Sequence, residues 1–260
     1  LPVMVAALAG AGIGLIANGF SHLVGEPAMG KLAILAPETI GVQVLIATVA
    51  ILLGLGRIRE QYAHGLLLGF GLLTVAGAIG LVVVAGQIDA ELGTGPLVLL
   101  AGGAVVLIAA IVGTLADNRA REVADPRFRW VRATFLAAAG AAVGFIALFV
   151  PFGRLVEDGS SASVIEYGTY GFTGIAVEPI VAIAAAIVVA YALGREGGRR
   201  LLAAGVALAL GAQTALYYGS WLGGVLAENY LKPELGWGCL VGFAAAALLA
   251  AAGVVGRRSG

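Results

Sequence analysis

The feature that most constrains this chain is a succession of long apolar runs, each closed by polar or charged residues. Crossing ~30 Å of hydrocarbon takes roughly 20 helical residues. Eight runs reach or approach that length: 3–23, 39–56, 65–86, 95–116, 133–152, 172–193, 201–222 and 236–255. They are continuous and rich in Ala, Leu and Gly, not alternating, so they fit helices and not a membrane barrel. With 60% hydrophobic residues, 12% charged residues and mean hydropathy +1.02, the 260-residue chain has too much apolar surface for a soluble interior. The expected fold is an all-α integral membrane protein with eight transmembrane helices. The first run lacks an A-x-A-like cleavage site and reads as a span, not a signal peptide.

Charge placement orients these spans. If the N-terminus is inside, the inner segments are 57–64, 117–132, 195–200 and the tail from Arg257. The outer loops then hold only Lys31, Arg154 and Lys232 of the 15 Lys and Arg residues. This is a strong positive-inside pattern, and it places both termini in the cytoplasm.

The stretch Glu91-Leu92-Gly93-Thr94-Gly95-Pro96-Leu97-Val98 returns as Glu234-Leu235-Gly236-Trp237-Gly238-Cys239-Leu240-Val241. Gly10 and Gly14 in the first run return as Gly140 and Gly144 in the fifth. Glu38 opens the second run and Glu178 the sixth, while Leu55-Gly56-Arg57 and Leu193-Gly194-Arg195 close them. Gly77-Ala78 matches Gly211-Ala212. The expectation is a tandem duplication of a four-helix unit: residues 1–116, a cytoplasmic connector 117–132, and residues 133–260. An even span number gives both copies one orientation, with a pseudo-symmetry axis along the membrane normal. The signature residues Glu91, Gly93, Gly95, Glu234, Gly236 and Gly238 read as a tight loop-to-helix turn, with the Glu at the positive end of the helix dipole.

The small-residue pairs Gly10/Gly14 and Gly140/Gly144 let helix backbones approach, because no Cβ intervenes. Their ordinary use is packing inside the bundle; the alternative is an oligomer or partner face. Gly65/Gly69, Gly219/Gly223 and Gly238/Gly242 share the spacing.

Glu38 and Glu178 stand out among the carboxylates. At 1.5 Å per residue they lie ~28 Å from Arg57 and ~25 Å from Arg195, near the outer hydrocarbon boundary. The ordinary reading is a helix-start carboxylate facing water; the functional one is a symmetric pair binding a cation or proton in an outward vestibule. On the seventh run, Gln213, Tyr217, Ser220 and Gly224 share a face, with Thr214, Tyr218 and Trp221 beside it. That face reads as an outer aromatic belt with Gln213 bonded to a neighbouring helix, or as a surface for a lipid headgroup or small amphipathic ligand. Asn18 and Gln43 read as interhelical donors.

Other chemistry has little support. No phosphate-binding, metalloprotease or nucleophile motif occurs, so neither a catalytic residue nor a cofactor nor a metal is expected. His22 and His64 fall on opposite sides of the membrane and read as surface residues. Cys239, the single cysteine, reads as a small apolar residue. The formal charge of zero argues against nucleic acid. The expected partners are membrane lipids and other membrane proteins or further copies of the chain; Arg199-Arg200 and Arg257-Arg258 are suited to anionic lipids. The leading expectation is a non-enzymatic scaffold or accessory subunit in the plasma membrane of a bacterium or archaeon. The alternative is a transporter or channel with a path between the repeats, its outer mouth lined by Glu38, Glu178, Gln213 and Tyr217.

Overall fold

A computed structural model describes residues 1–18, 20, 36–87, 91–116, 128, 130–151, 153–155, 161–162, 173–195, 199–227 and 233–258. Its eight helices are α1 (Pro2–Ala17), α2 (Ala36–Gly54), α3 (Glu60–Gln87), α4 (Thr94–Ala116), α5 (Arg132–Ala147), α6 (Thr173–Leu193), α7 (Arg199–Ala227) and α8 (Trp237–Arg258). Five of them, α3, α4, α6, α7 and α8, are long and apolar enough to cross a membrane. The helices carry apolar side chains all round, as helices do whose outer surface meets lipid. Exposed Val44, Ile108, Phe135, Ile187 and Leu240 stand on that surface.

The centre belongs to α3 and α7. Their apolar windows are 61% buried, against 39% for α4 and 44% for α6 and α8. Glycine is what brings them together. A Cβ on Gly65 of α3 would stand 2.1 Å from the Leu202 carbonyl oxygen, and one on Gly205 of α7 would stand 2.3 Å from that of Tyr62. Neither gap admits even a methyl group, so the two backbones touch. Around this seam α1 packs on α2 and α4, α5 packs on α6 and α8, α6 packs on α3, and α2 packs on α7. One large core of Ala, Leu and Val runs through both halves of the chain.

The two halves reuse contacts. Gly10 of α1 lies against Val106 of α4, and Gly140 of α5 against Leu249 of α8. Gly14 meets Gly102 and Gln43; Gly144 meets Ala245 and Ile183. All four glycines therefore pack within the chain. In the E-L-G-x-G stretches, α4 starts at Thr94 and α8 at the corresponding Trp237.

A small antiparallel sheet, in the order β2-β1-β3, was not expected from the sequence. Strand β1 (Gly153–Leu155) pairs with β2 (Ser161–Ala162) and with β3 (Pro233–Leu235), in the register Arg154 opposite Glu234. It joins the approach to α8 with the segment after α5. His22 and most of the connector 117–132 lie outside the described residues.

The signature glycines need correction. Among the described residues only Gly56 has positive φ, +64°, so no glycine of the two stretches is there for a left-handed turn. Gly238 instead permits close approach: its N–H donates to the Pro151 carbonyl at 2.8 Å, and a Cβ would stand 2.4 Å from the Val150 oxygen. Gly56 closes α2. The Gly56 and Arg57 N–H groups donate back to the Leu53 and Leu52 carbonyls, which satisfies carbonyls the helix end leaves open.

Candidate functional site

Glu38 and Glu178 meet. Each had an ordinary reading as a water-facing helix start, but they are only 4% and 9% exposed. The reason lies in the neighbours: α2 and α6 pack against the central pair α7 and α3, so their first turns face inward. The two carboxyl groups share a hydrogen bond. Gln213 Nε2 of α7 donates to Glu178 Oε1 at 2.8 Å. A carboxyl–carboxyl hydrogen bond needs a proton between the oxygens.

Gly77 of α3 supplies the remaining wall. A Cβ there would stand 2.9 Å from Glu178 Oε2, so glycine leaves the space the carboxylate occupies. Pro179 follows Glu178 inside α6. Its missing N–H frees a carbonyl one turn earlier and loosens the helix beside the carboxylate. Glu178 sits ~22 Å along α6 from Leu193.

Next to Glu178 is a cavity of about 20 Å³, lined among others by Thr214, Tyr217 and Tyr218. That is room for one water molecule. Tyr217 and Tyr218 stand edge to face at 5.2 Å and are buried, so they are core residues and not an outer belt. Ser220 is buried as well. The expectation that Gln213 bonds to a neighbouring helix holds, and its partner is Glu178. The Gln213 carbonyl oxygen has no hydrogen-bond partner among the described residues.

Gln43 and Asn18 divide. Asn18 donates to the Gly14 carbonyl at 3.1 Å and accepts from the Thr39 hydroxyl, so it links α1 to α2. Gln43 is buried against Gly14, and neither end of its amide has a partner among the described residues. His64, expected at the surface, is buried against Gly113 of α4. Cys239 is fully buried and forms no disulfide.

Sequence reasoning missed Gly77 and Pro179 as walls of the site. Gly77 was visible as part of a repeated dipeptide. Nothing in its own helix tells which side chain fills the space above it.

The apolar helices, with apolar side chains facing outward, define a membrane protein. No protein-family model, curated protein or solved structure matches the chain.

Proposed function

We propose that this is an eight-span plasma-membrane protein of a bacterium or archaeon, with both termini cytoplasmic, that carries protons or a small solute coupled to them. The span count and orientation rest on the eight apolar runs and the positive-inside pattern. The two four-helix units are a tandem duplication. In support, contacts recur at matching positions (Gly10–Val106 with Gly140–Leu249, Gly14–Gly102 with Gly144–Ala245), and α3 and α7 pair at the centre as an axis along the membrane normal requires.

The observation that carries the function is the hydrogen-bonded pair Glu38–Glu178, one carboxyl from each half, buried where the halves meet. Ionisable groups inside membrane helices are expensive, and they mark ion or proton pathways. In this reading the pair shares one proton. On the Arg57 and Arg195 side the seam is closed by the Gly65–Gly205 backbone contact. A channel needs a continuous polar path; a seam shut by backbone supports a carrier whose halves move relative to each other.

Two measurements test this. Infrared difference spectra of the protein in lipid should contain a protonated carboxyl band that disappears in Glu38→Gln. Proteoliposomes holding a pH-sensitive dye should dissipate an imposed potassium diffusion potential through proton uptake, and Glu178→Gln should abolish this. A wild-type protein with no such band and no flux above empty liposomes sinks the reading. The scaffold reading is the second one, favoured by the same Gly65–Gly205 seam, which is as dry as a permanent interface. Stable association with another membrane protein, together with absent proton flux, would support it.

A further inference from the structure

The second half of the chain has an open groove that the carboxylate site does not use. It lies between α5 and α6 and has a volume of about 480 Å³. Its floor is built from small residues such as Ala138 and Ala141, and Phe145 closes one end. The other end carries an aromatic cluster. Phe128 stacks on Tyr191 at 5.9 Å and meets Trp130 edge-on at 5.2 Å. The Phe128 ring lies on Gly194, and a backbone bridge ties Phe128 to Arg195. The Arg195 guanidinium sits 5.5 Å over the Tyr191 ring, and its Nε is buried with no hydrogen-bond partner among the described residues.

A buried hydroxyl also lines the groove. Thr134 lines it and is 1% exposed, and its hydroxyl has no hydrogen-bond partner among the described residues. From Thr134 to Phe145 the groove follows α5 for ~16 Å. That is about half of the ~30 Å hydrocarbon layer, the depth of one leaflet.

In the first half the matching place between α1 and α2 is filled differently. Met4 stands at the same spacing before Gly10 as Thr134 before Gly140. Its thioether lies over Gly54 of α2, where a Cβ would stand 2.0 Å from the sulfur. A long flexible side chain fills the α1–α2 side, while the α5–α6 side has a short hydroxyl and alanines.

We propose that this groove binds one acyl chain of an anionic phospholipid, with the lipid phosphate at Arg195. An apolar trough of leaflet depth suits an acyl chain. Aromatic rings are at home at the headgroup level. A guanidinium with a free donor recognises phosphate, and a zwitterionic lipid offers the same phosphate with its charge cancelled. Thr134 reaches the ester region or a water beneath it, which supplies its missing partner. The basic end of the groove is the end with Arg195 and exposed Arg132, the side on which anionic lipids attract cationic residues.

The test is native mass spectrometry of the protein released from nanodiscs made of equal phosphatidylglycerol and phosphatidylcholine. The wild type should retain one phosphatidylglycerol per chain, at least about tenfold over phosphatidylcholine. Arg195→Gln should remove the preference. Ala138→Leu, which fills the trough without touching the charge, should remove the bound lipid altogether. Charge-state distributions show that each variant counted is folded. Equal retention of the two lipids by the wild type, or undiminished retention by either variant, overturns the proposal.

Discussion

The two halves of this molecule solve one packing problem with different tolerances. In the first, the glycines of α1 are compressed: a Cβ on Gly10 would stand 2.7 Å from Val106 Cγ2 and 2.8 Å from the Gly102 oxygen, and one on Gly14 would stand 2.4 Å from Gln43 Cδ. In the second, Gly140 is as tight, 2.8 Å from Leu249 Cγ, but Gly144 has ordinary clearance, 3.4 Å to Ile183 and 3.7 Å to Ala245. The first half places a buried amide, Gln43, where the second places Ile183. The first lays Met4 over Gly54, and the second has an open groove beside Thr134. Each half contributes one carboxylate to the seam, but only the second adds a donor for it, Gln213. Contacts at positions of like spacing thus recur in the two halves, while the tightness and polarity around them differ.

The largest expected effect concerns the shared carboxylates. Glu38→Gln or Glu178→Gln should each lower proton flux in proteoliposomes on the order of a hundredfold, the scale of a positioned proton-transfer group. The double variant should be no worse than either single one, because the two groups act as one site. Additive losses would mean two separate sites and would end the idea of a shared proton.

Next comes the seam. Gly65→Val or Gly205→Val forces side-chain carbons into a carbonyl oxygen of the opposite helix, and backbone cannot swing aside. Either should lower stability by about 1–3 kcal/mol or more, read as a lower midpoint of thermal unfolding in detergent. An unchanged midpoint would show that α3 and α7 do not touch there.

A smaller effect separates the halves directly. Gly14→Ala should destabilise by ~1–3 kcal/mol, because Gln43 is enclosed and has nowhere to go. Gly144→Ala should stay within ~0.5 kcal/mol. Equal penalties would erase the difference in tightness. Smallest is Gln43→Ile, which gives the first half the residue of the second. Replacing an unpartnered buried amide by an apolar side chain should raise stability by about 1 kcal/mol. A loss instead would mean that the amide has a partner in the membrane-embedded protein.

Much of the fold could be read from the chain. All eight helices begin within about five residues of their apolar runs. Length and hydropathy suffice for this because lipid selects apolar runs without regard to their neighbours. The Gly10/Gly14 and Gly140/Gly144 spacing pointed correctly to intrachain packing. The site was half legible. Glu38 and Glu178 were visible as a matched pair, and Gln213 as a residue that bonds to another helix. That these three converge was not, because the carboxylates are far apart in sequence and each helix is apolar on every side.

By itself the sequence determined where the helices run and that they are apolar enough for a membrane. These are properties of composition and spacing within single segments. The tertiary structure alone decided that α3 and α7 form the centre, that two carboxyl groups face each other instead of water, and that a groove opens between α5 and α6. Those outcomes depend on the rotation of each helix about its axis. In helices that are apolar all round, rotation is set by glycine gaps on the neighbouring helix, such as Gly65 against Leu202 and Gly77 beneath Glu178.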